Sequence, residues 1–360
     1  MDLRRFFRPD FDELEAYVPV KPLDILAEEI GVPVSAIVKL DANENLWGAP
    51  AEVYEAIARA DLHIYPDPGQ TALRAAIADY AGVEPDQVVA GTGADDLIDI
   101  LLRLSCPKAV AVLTPTFGMY SFLAKINHAR TIEVPRGRNF EVDVEATARA
   151  VDEGARVVFL ASPNNPTGNP LSRQELEGLC ALDALIVVDE AYIEFDGESF
   201  VPRIADFPNL VILRTFSKWA GLAGLRVGYS LSNAELATAM MAIKQPYNVN
   251  VAADVAARAA LEHRATIFET VRCIVAERDR MTREVAALGW LKPCPSVSNF
   301  VLFEVDASHR AKDVVAKLRS RGVLIRYYDR PDLANYIRIS TGRPEDTDRL
   351  VEALRAVGDA

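Results

Sequence analysis

From about residue 50 onward, short apolar runs alternate with segments whose apolar residues recur every three or four positions. Residues 50–60 (PAEVYEAIARA), 70–81 (QTALRAAIADYA) and 95–104 carry the helical period. Between and after them lie seven short apolar runs rich in β-branched residues, at 87–90, 109–113, 130–134, 156–161, 184–188, 210–213 and 227–230. Runs that are apolar without alternation predict strands buried on both faces, as in a parallel or mixed sheet covered by helices. The expected architecture is therefore α/β, with a mainly parallel seven-stranded sheet in a large doubly wound domain. From about residue 252 the character changes. A long helical stretch at 252–289 is followed by an apolar run at 300–305, a helix at 310–320, and short runs at 324–326 and 337–339. This predicts a smaller α+β domain. Residues 1–40 are expected to form an N-terminal arm and part of that small domain, 41–251 the large domain, and 252–360 the small C-terminal one.

In sheets of this kind, function gathers where the strands end. Polar residues follow several of the apolar runs. Gly91-Thr92-Gly93-Ala94-Asp95-Asp96 opens a helix, where small residues and the helix N-terminus suit an anion. Asp189 ends ALIVVD, and a carboxylate buried there needs a cationic or hydrogen-bonding partner. Lys218 follows in TFSK, at a position where desolvation can release its proton and leave an amine reactive toward carbonyls. Ser217 and Arg226 (GLAGLRVGY) complete an anion cradle with the helix start. Asn164 (SPNNPTG) and Tyr192 (DEAY) can hydrogen-bond a phenolic oxygen, and Phe117 (TPTFGMY) can cover an aromatic ring face.

Each residue has an ordinary alternative. Asp189 suits a helix cap, Tyr192 and Phe117 suit a core, Arg226 suits a surface ion pair, and Asn164 suits a turn between two prolines. Together they match one ligand, because they offer a phosphate site, a pyridinium partner, a phenolate partner, a ring cover and an amine. That is a protein's share of pyridoxal 5′-phosphate (PLP) chemistry.

Composition narrows the remaining classes. A net charge of −13 opposes nucleic-acid binding and docking on anionic lipid. The four cysteines form no CxxC pair, and the four histidines show no metal-ligand spacing. No metal is expected, and reduced thiols with no signal-peptide pattern point to the cytoplasm.

SPNNPTG, DEAY and TFSKWAGLAGLRVGY stand in the order and spacing of the fold-type I, aspartate aminotransferase-like family of PLP-dependent enzymes, which the chain closely resembles over nearly its whole length. The resemblance is strongest to the class II branch that acts on L-histidinol phosphate in histidine biosynthesis. YVPVKP at 17–22, LDANENLWGAP at 40–50, YPDPGQTALRAAIADYAGV at 65–83, PYNVN at 246–250, VLIR at 323–326 and YIRIS at 336–340 carry it. It implies that Lys218 holds PLP covalently and acts as base and acid. Asp189 then pairs with the ring nitrogen, and Asn164 and Tyr192 contact the ring oxygen. Gly93, Ala94, Asp95, Ser217 and Arg226 surround the phosphate, and Phe117 covers the ring. It further implies a homodimer in which Tyr65 reaches the cofactor phosphate of the neighbouring subunit, and a substrate site formed by Tyr17, Asn43, Asn164, Arg326 and Arg338. The expected reaction is ping-pong amino transfer from L-histidinol phosphate to 2-oxoglutarate. Relatives of the same fold that use aromatic amino acids or threonine phosphate share every cofactor residue named, while a non-catalytic regulator would need a DNA-binding segment for which the N-terminus leaves no room. Trp219 and Trp47 depart from the family pattern beside the site. Arg338 lies within an apolar strand pattern, where a charge requires a reason.

Overall fold

A computed structural model describes residues 1–14 and 21–358 of the chain. Tyr17 lies outside the described residues. The strands, in chain order, are β1 (Val38–Leu40), β2 (Val88–Gly91), β3 (Ala109–Thr114), β4 (Arg130–Pro135), β5 (Ala155–Ala161), β6 (Leu185–Asp189), β7 (Leu210–Thr215), β8 (Gly228–Leu231), β9 (Leu291–Pro293), β10 (Phe300–Val305), β11 (Val323–Tyr327) and β12 (Tyr336–Ser340).

The seven runs seen in the sequence form one seven-stranded sheet in the order β2-β8-β7-β6-β5-β3-β4. Its pairings are parallel except those made by β8, which runs opposite to both neighbours. Alternate residues of each strand face different cores. Val158, Leu160, Ile186 and Val188 pack in one with Ile77, Leu176 and Ile267, while Val157, Phe159, Val187 and Val211 pack in the other with Leu97, Leu101 and Met240. Burial on both faces is what removes polar alternation from these strands. β4 is the exception. It lies at the sheet edge, and only Val134 of its six residues is buried.

The second sheet has five strands, β1-β11-β12-β10-β9, antiparallel apart from the β1–β11 pair. Its core includes Val301, Phe303, Ile337, Ile339, Leu350 and Leu354. The helical stretch at 252–289 is two helices, Val251–Glu262 and Arg264–Ala286, separated at His263 (φ −98°, ψ 23°). The second spans both units: its Ile267, Val271 and Ile274 pack with the large sheet's core and its Met281 and Val285 with the small one's. Among the described residues no helix is long and apolar enough to cross a membrane.

Candidate active site

Parallel strands bring their carboxyl ends to one edge, and the reversed β8 brings its beginning there. At this edge the helix Gly93–Ser105 starts directly after β2. Gly93 has φ +79°, and a Cβ there would stand 2.7 Å from Arg226 Nη2. A Cβ on Gly228 would stand 3.0 Å from the Ala94 nitrogen. Glycine at both positions lets the helix start lie against β8 and Arg226. Arg226 adopts a left-handed backbone (φ 54°), uncommon for a non-glycine residue and over-represented at functional sites. Its Nη1 lies 3.5 Å from Ser217 Oγ, and its Nη2 lies 3.2 Å from Asp95 Oδ2. The Thr215 hydroxyl donates to Ser217 Oγ (2.9 Å) and accepts from the Ser217 N–H (3.1 Å). Burial pushes the Asp95 carboxyl up, with Arg226 opposing.

These groups line a cavity of about 320 Å³ that also presents Phe117, Tyr120, Asp189, Tyr192 and Lys218. Asp189, the last residue of β6, is 5% exposed. Its Oδ2 accepts from the Tyr120 hydroxyl (2.7 Å) and its Oδ1 from the Ala191 N–H (3.0 Å). Desolvation drives this carboxyl up to about 6, and the Tyr120 hydrogen bond pulls the other way. Tyr120 lies on the helix Met119–Ile126, fully buried, stacked on Phe159 (5.4 Å) and edge-on to Phe117 (5.6 Å). Sequence reasoning passed over it. Its signal was the position three residues after Phe117, at the start of the helix that follows. Lys218 follows β7, with Nζ 3.3 Å from the Ala42 carbonyl oxygen and 5.8 Å from the Tyr192 ring centre. Burial, then the nearby Arg338 guanidinium, lower its amine to about 8. Tyr192 is buried, and its hydroxyl oxygen accepts from Asn43 Nδ2 (3.0 Å).

A second cavity of about 330 Å³ adjoins the first, sharing Ala42, Phe117, Asn165, Tyr192 and Lys218 and adding Asn43, Arg326, Arg330 and Arg338. Here the structure corrects one expectation. Asn164 does not reach either cavity. Its Nδ2 donates to the Pro115 carbonyl (3.0 Å) and to Thr167 Oγ1 (2.7 Å), and its Oδ1 accepts from Thr116 Oγ1 (2.8 Å). Its amide is thus taken up by Thr167 of its own turn and by Pro115 and Thr116 of the segment after β3, and it is fully buried. The neighbouring Asn165 faces the cavities instead, because the turn between the two prolines sends adjacent side chains in different directions.

Arg338 donates through Nη1 to Asn165 Oδ1 (2.6 Å) and through Nη2 to the Asp41 carbonyl (2.5 Å), while its buried Nε has no partner among the described residues. It lies 5.3 Å from the Phe300 ring centre. Arg326 is its direct cross-strand partner in the β11–β12 pair. Like charges placed opposite each other on a sheet repel, so the pair is suited to an anion between them. Asn43, with φ 54°, ties the units together: its N–H donates to Ser340 Oγ (2.9 Å) and its Oδ1 accepts from that hydroxyl (2.7 Å). Tyr65 lies outside these cavities. It is 80% exposed and stacks on Tyr247 (4.7 Å). Trp219 points away from both cavities into the core, between Tyr80 (5.6 Å) and Phe268 (5.5 Å), and Trp47 packs against the same core.

Comparison with known proteins places this geometry. Residues 35–354 match the family model for aminotransferase class I and II. The chain is 47% identical to the histidinol-phosphate aminotransferase of Roseiflexus castenholzii over 97% of both chains. It is 42% identical to the chloroplastic histidinol-phosphate aminotransferase 1 of Arabidopsis thaliana, over 97% of this chain and 85% of that one. Among solved structures it resembles the Sinorhizobium meliloti histidinol-phosphate aminotransferase in complex with pyridoxal-5′-phosphate, with a TM-score of 0.88, 32% identity, and coverage of 98% and 97% of the two chains.

Proposed function

Because the chain belongs to the class I and II aminotransferases, and within them to the histidinol-phosphate aminotransferases, we propose that its joined cavities move the amino group of L-histidinol phosphate to 2-oxoglutarate with PLP as cofactor. The residues present fit that cofactor. A half-buried amine, a buried carboxylate, a buried tyrosine hydroxyl and a guanidinium beside a glycine-opened helix start converge on one cavity, and each complements a different part of PLP. Lys218 takes the carbonyl carbon and Asp189 the ring nitrogen. Tyr192 and Asn165 take the ring oxygen, and Phe117 takes the ring face. Gly93, Ala94, Asp95, Ser217 and Arg226 surround the phosphate.

When bound, PLP supplies an electron-withdrawing ring that makes the donor's α-hydrogen acidic and carries the amino group between the two substrates. The chain's own residues do the rest. Lys218, lowered to about 8, holds a neutral amine in a useful fraction of molecules near neutral pH, so Nζ can take the α-proton and return it on the far side of the amino nitrogen. Asp189 is ionised above about pH 6 and supplies the negative charge that keeps a pyridine nitrogen protonated. Arg338 and Arg326 bind the phosphate of one substrate and a carboxylate of the other in turn, which permits one pocket to serve both half-reactions. The facing of these two arginines, with Arg338 Nε unpartnered, is the observation that carries the substrate assignment.

The exposed Tyr65–Tyr247 pair, beside exposed Leu62 and Ile64, supports a homodimer in which Tyr65 reaches the cofactor phosphate of a second copy. The four free cysteines accord with a reducing cytoplasm. Initial rates of glutamate formation at varied L-histidinol phosphate and 2-oxoglutarate test the reading. Parallel double-reciprocal lines and a kcat/KM at least about 100-fold above that for phenylalanine are expected. A preference for phenylalanine or tyrosine would move the substrate to the aromatic class.

A further inference from the structure

Residues 244–250 join the helix Ala234–Ile243 to Val251–Glu262 and contain Pro246-Tyr247-Asn248-Val249-Asn250, a stretch that touches neither cavity. Asn248 is half-buried there, and its side-chain nitrogen and backbone carbonyl reach the end of β2 and the start of the helix that opens at Gly93. Its Nδ2 donates to Asp96 Oδ2 (2.7 Å) and to the Ala90 carbonyl (3.2 Å). Its backbone carbonyl accepts from the Thr92 hydroxyl. Asp96 Oδ2 also accepts from the Thr92 N–H (2.9 Å).

The other end of the amide is held as firmly. Asn248 Oδ1 accepts from Gln70 Nε2 (3.0 Å) and from Lys244 Nζ (3.4 Å). Gln70 clamps Ala90 in both directions, donating to its carbonyl (2.9 Å) and accepting from its N–H (3.0 Å). Lys244, 7% exposed, also donates to the Pro68 and Pro246 carbonyls (3.0 and 3.2 Å). The turn Gly91-Thr92-Gly93 is thus gripped by residues that line neither cavity.

We propose that Asn248 is a positioning residue for the anion cradle, holding the Gly91–Gly93 turn and Asp96 so that the helix start at Gly93 and Ala94 faces Ser217 and Arg226. This rests on the reading that the cradle receives the PLP phosphate. The position needs an amide. It must donate toward Asp96 and the Ala90 carbonyl and accept from Gln70 and Lys244, which an apolar side chain cannot do. An aspartate would set a second carboxylate against Asp96. Asn248 touches no part of the cavity, so its effect passes only through the turn.

The test compares PLP with pyridoxal, which lacks the phosphate, as ligands of the cofactor-stripped full chain, using equilibrium absorbance titrations. For Asn248→Ala, PLP binding is expected to weaken at least about tenfold, the loss of roughly one well-placed hydrogen bond. Pyridoxal binding should change less than about twofold. Thr92→Val, which removes a different limb of the same network, should shift the ratio of the two affinities the same way and so guards against a folding defect in the first variant. Equal losses for both ligands, or no loss for either, would overturn the assignment of Asn248. Wild-type protein that binds PLP no better than pyridoxal would instead overturn the cofactor reading beneath it.

Discussion

The two halves of the cavity are built by different rules. The half around Asp189 and Lys218 comes from consecutive strand ends of one sheet, and its polar atoms are matched in advance: Asp189 holds two hydrogen bonds and Ser217 is locked by Thr215. The half around Arg338 draws on both sheets and stays electrically unbalanced. Arg326 faces Arg338 directly, and among the described residues neither forms a salt bridge. The contrast separates two tasks. Groups that must hold one fixed ring are satisfied within a rigid frame, while groups that must accept two different anions keep a positive charge that no carboxylate neutralises.

The contrast is broken most severely at Lys218. Lys218→Ala should lower amino transfer by roughly four orders of magnitude, since among the described residues no other amine lines the first cavity. Single-turnover kinetics with L-histidinol phosphate measure this, and a residual rate within tenfold of wild type would remove Lys218 from the proton transfer. Arg338→Ala comes next. It should reduce kcat/KM for both L-histidinol phosphate and 2-oxoglutarate by about 100-fold, with a smaller loss of PLP affinity through Asn165, because a charged hydrogen-bonding donor is worth about 1.5–3 kcal/mol. Loss for one substrate only would mean that the two anions do not share this arginine. Arg338→Lys should restore little, as it lacks the planar fork.

Asp189 gives an effect of similar size but on stability. Its carboxyl rises from 3.8 to about 6 on folding, so the folded chain binds more protons between those values, and stability falls as pH rises through that window. Above pH 6 the buried charge costs about 2–3 kcal/mol. Asp189→Asn should therefore make the cofactor-free protein more stable than wild type at pH 8, with the difference shrinking toward pH 4, by urea denaturation. The same variant should bind PLP more weakly. An unchanged pH dependence would show that Asp189 is not strained by burial. Tyr120→Phe is the mildest change. It removes the hydrogen bond that opposes the rise at Asp189, so the acid limb of the pH dependence of PLP binding should move upward by less than about one unit. A downward move would contradict the role of Tyr120.

The same division explains what the sequence revealed. All seven strands of the large sheet were legible: six because burial on both faces writes itself as apolar runs, and the edge strand β4 through its β-branched Thr131, Ile132 and Val134; the strand-end rule then located Asp189, Lys218 and Tyr192. Three-residue β1 and β9 were not legible, since so few positions hold no period. The break at His263 carries no glycine or proline to mark it. Asn164 and Asn165 are chemically identical neighbours, and only the folded turn decides which one faces the cavity. Asn248 was visible as a motif but not as a contact, because its partners at Gln70, Ala90, Thr92 and Asp96 lie more than 150 residues away in the chain.

The most direct test is a titration of the PLP-loaded protein with L-histidinol phosphate in the absence of any oxo acid, followed by visible absorbance. Loss of the lysine-bound cofactor's absorbance at low donor concentration, and its return on addition of 2-oxoglutarate, is the predicted result. An unchanged spectrum with PLP in excess would contradict amino transfer at Lys218.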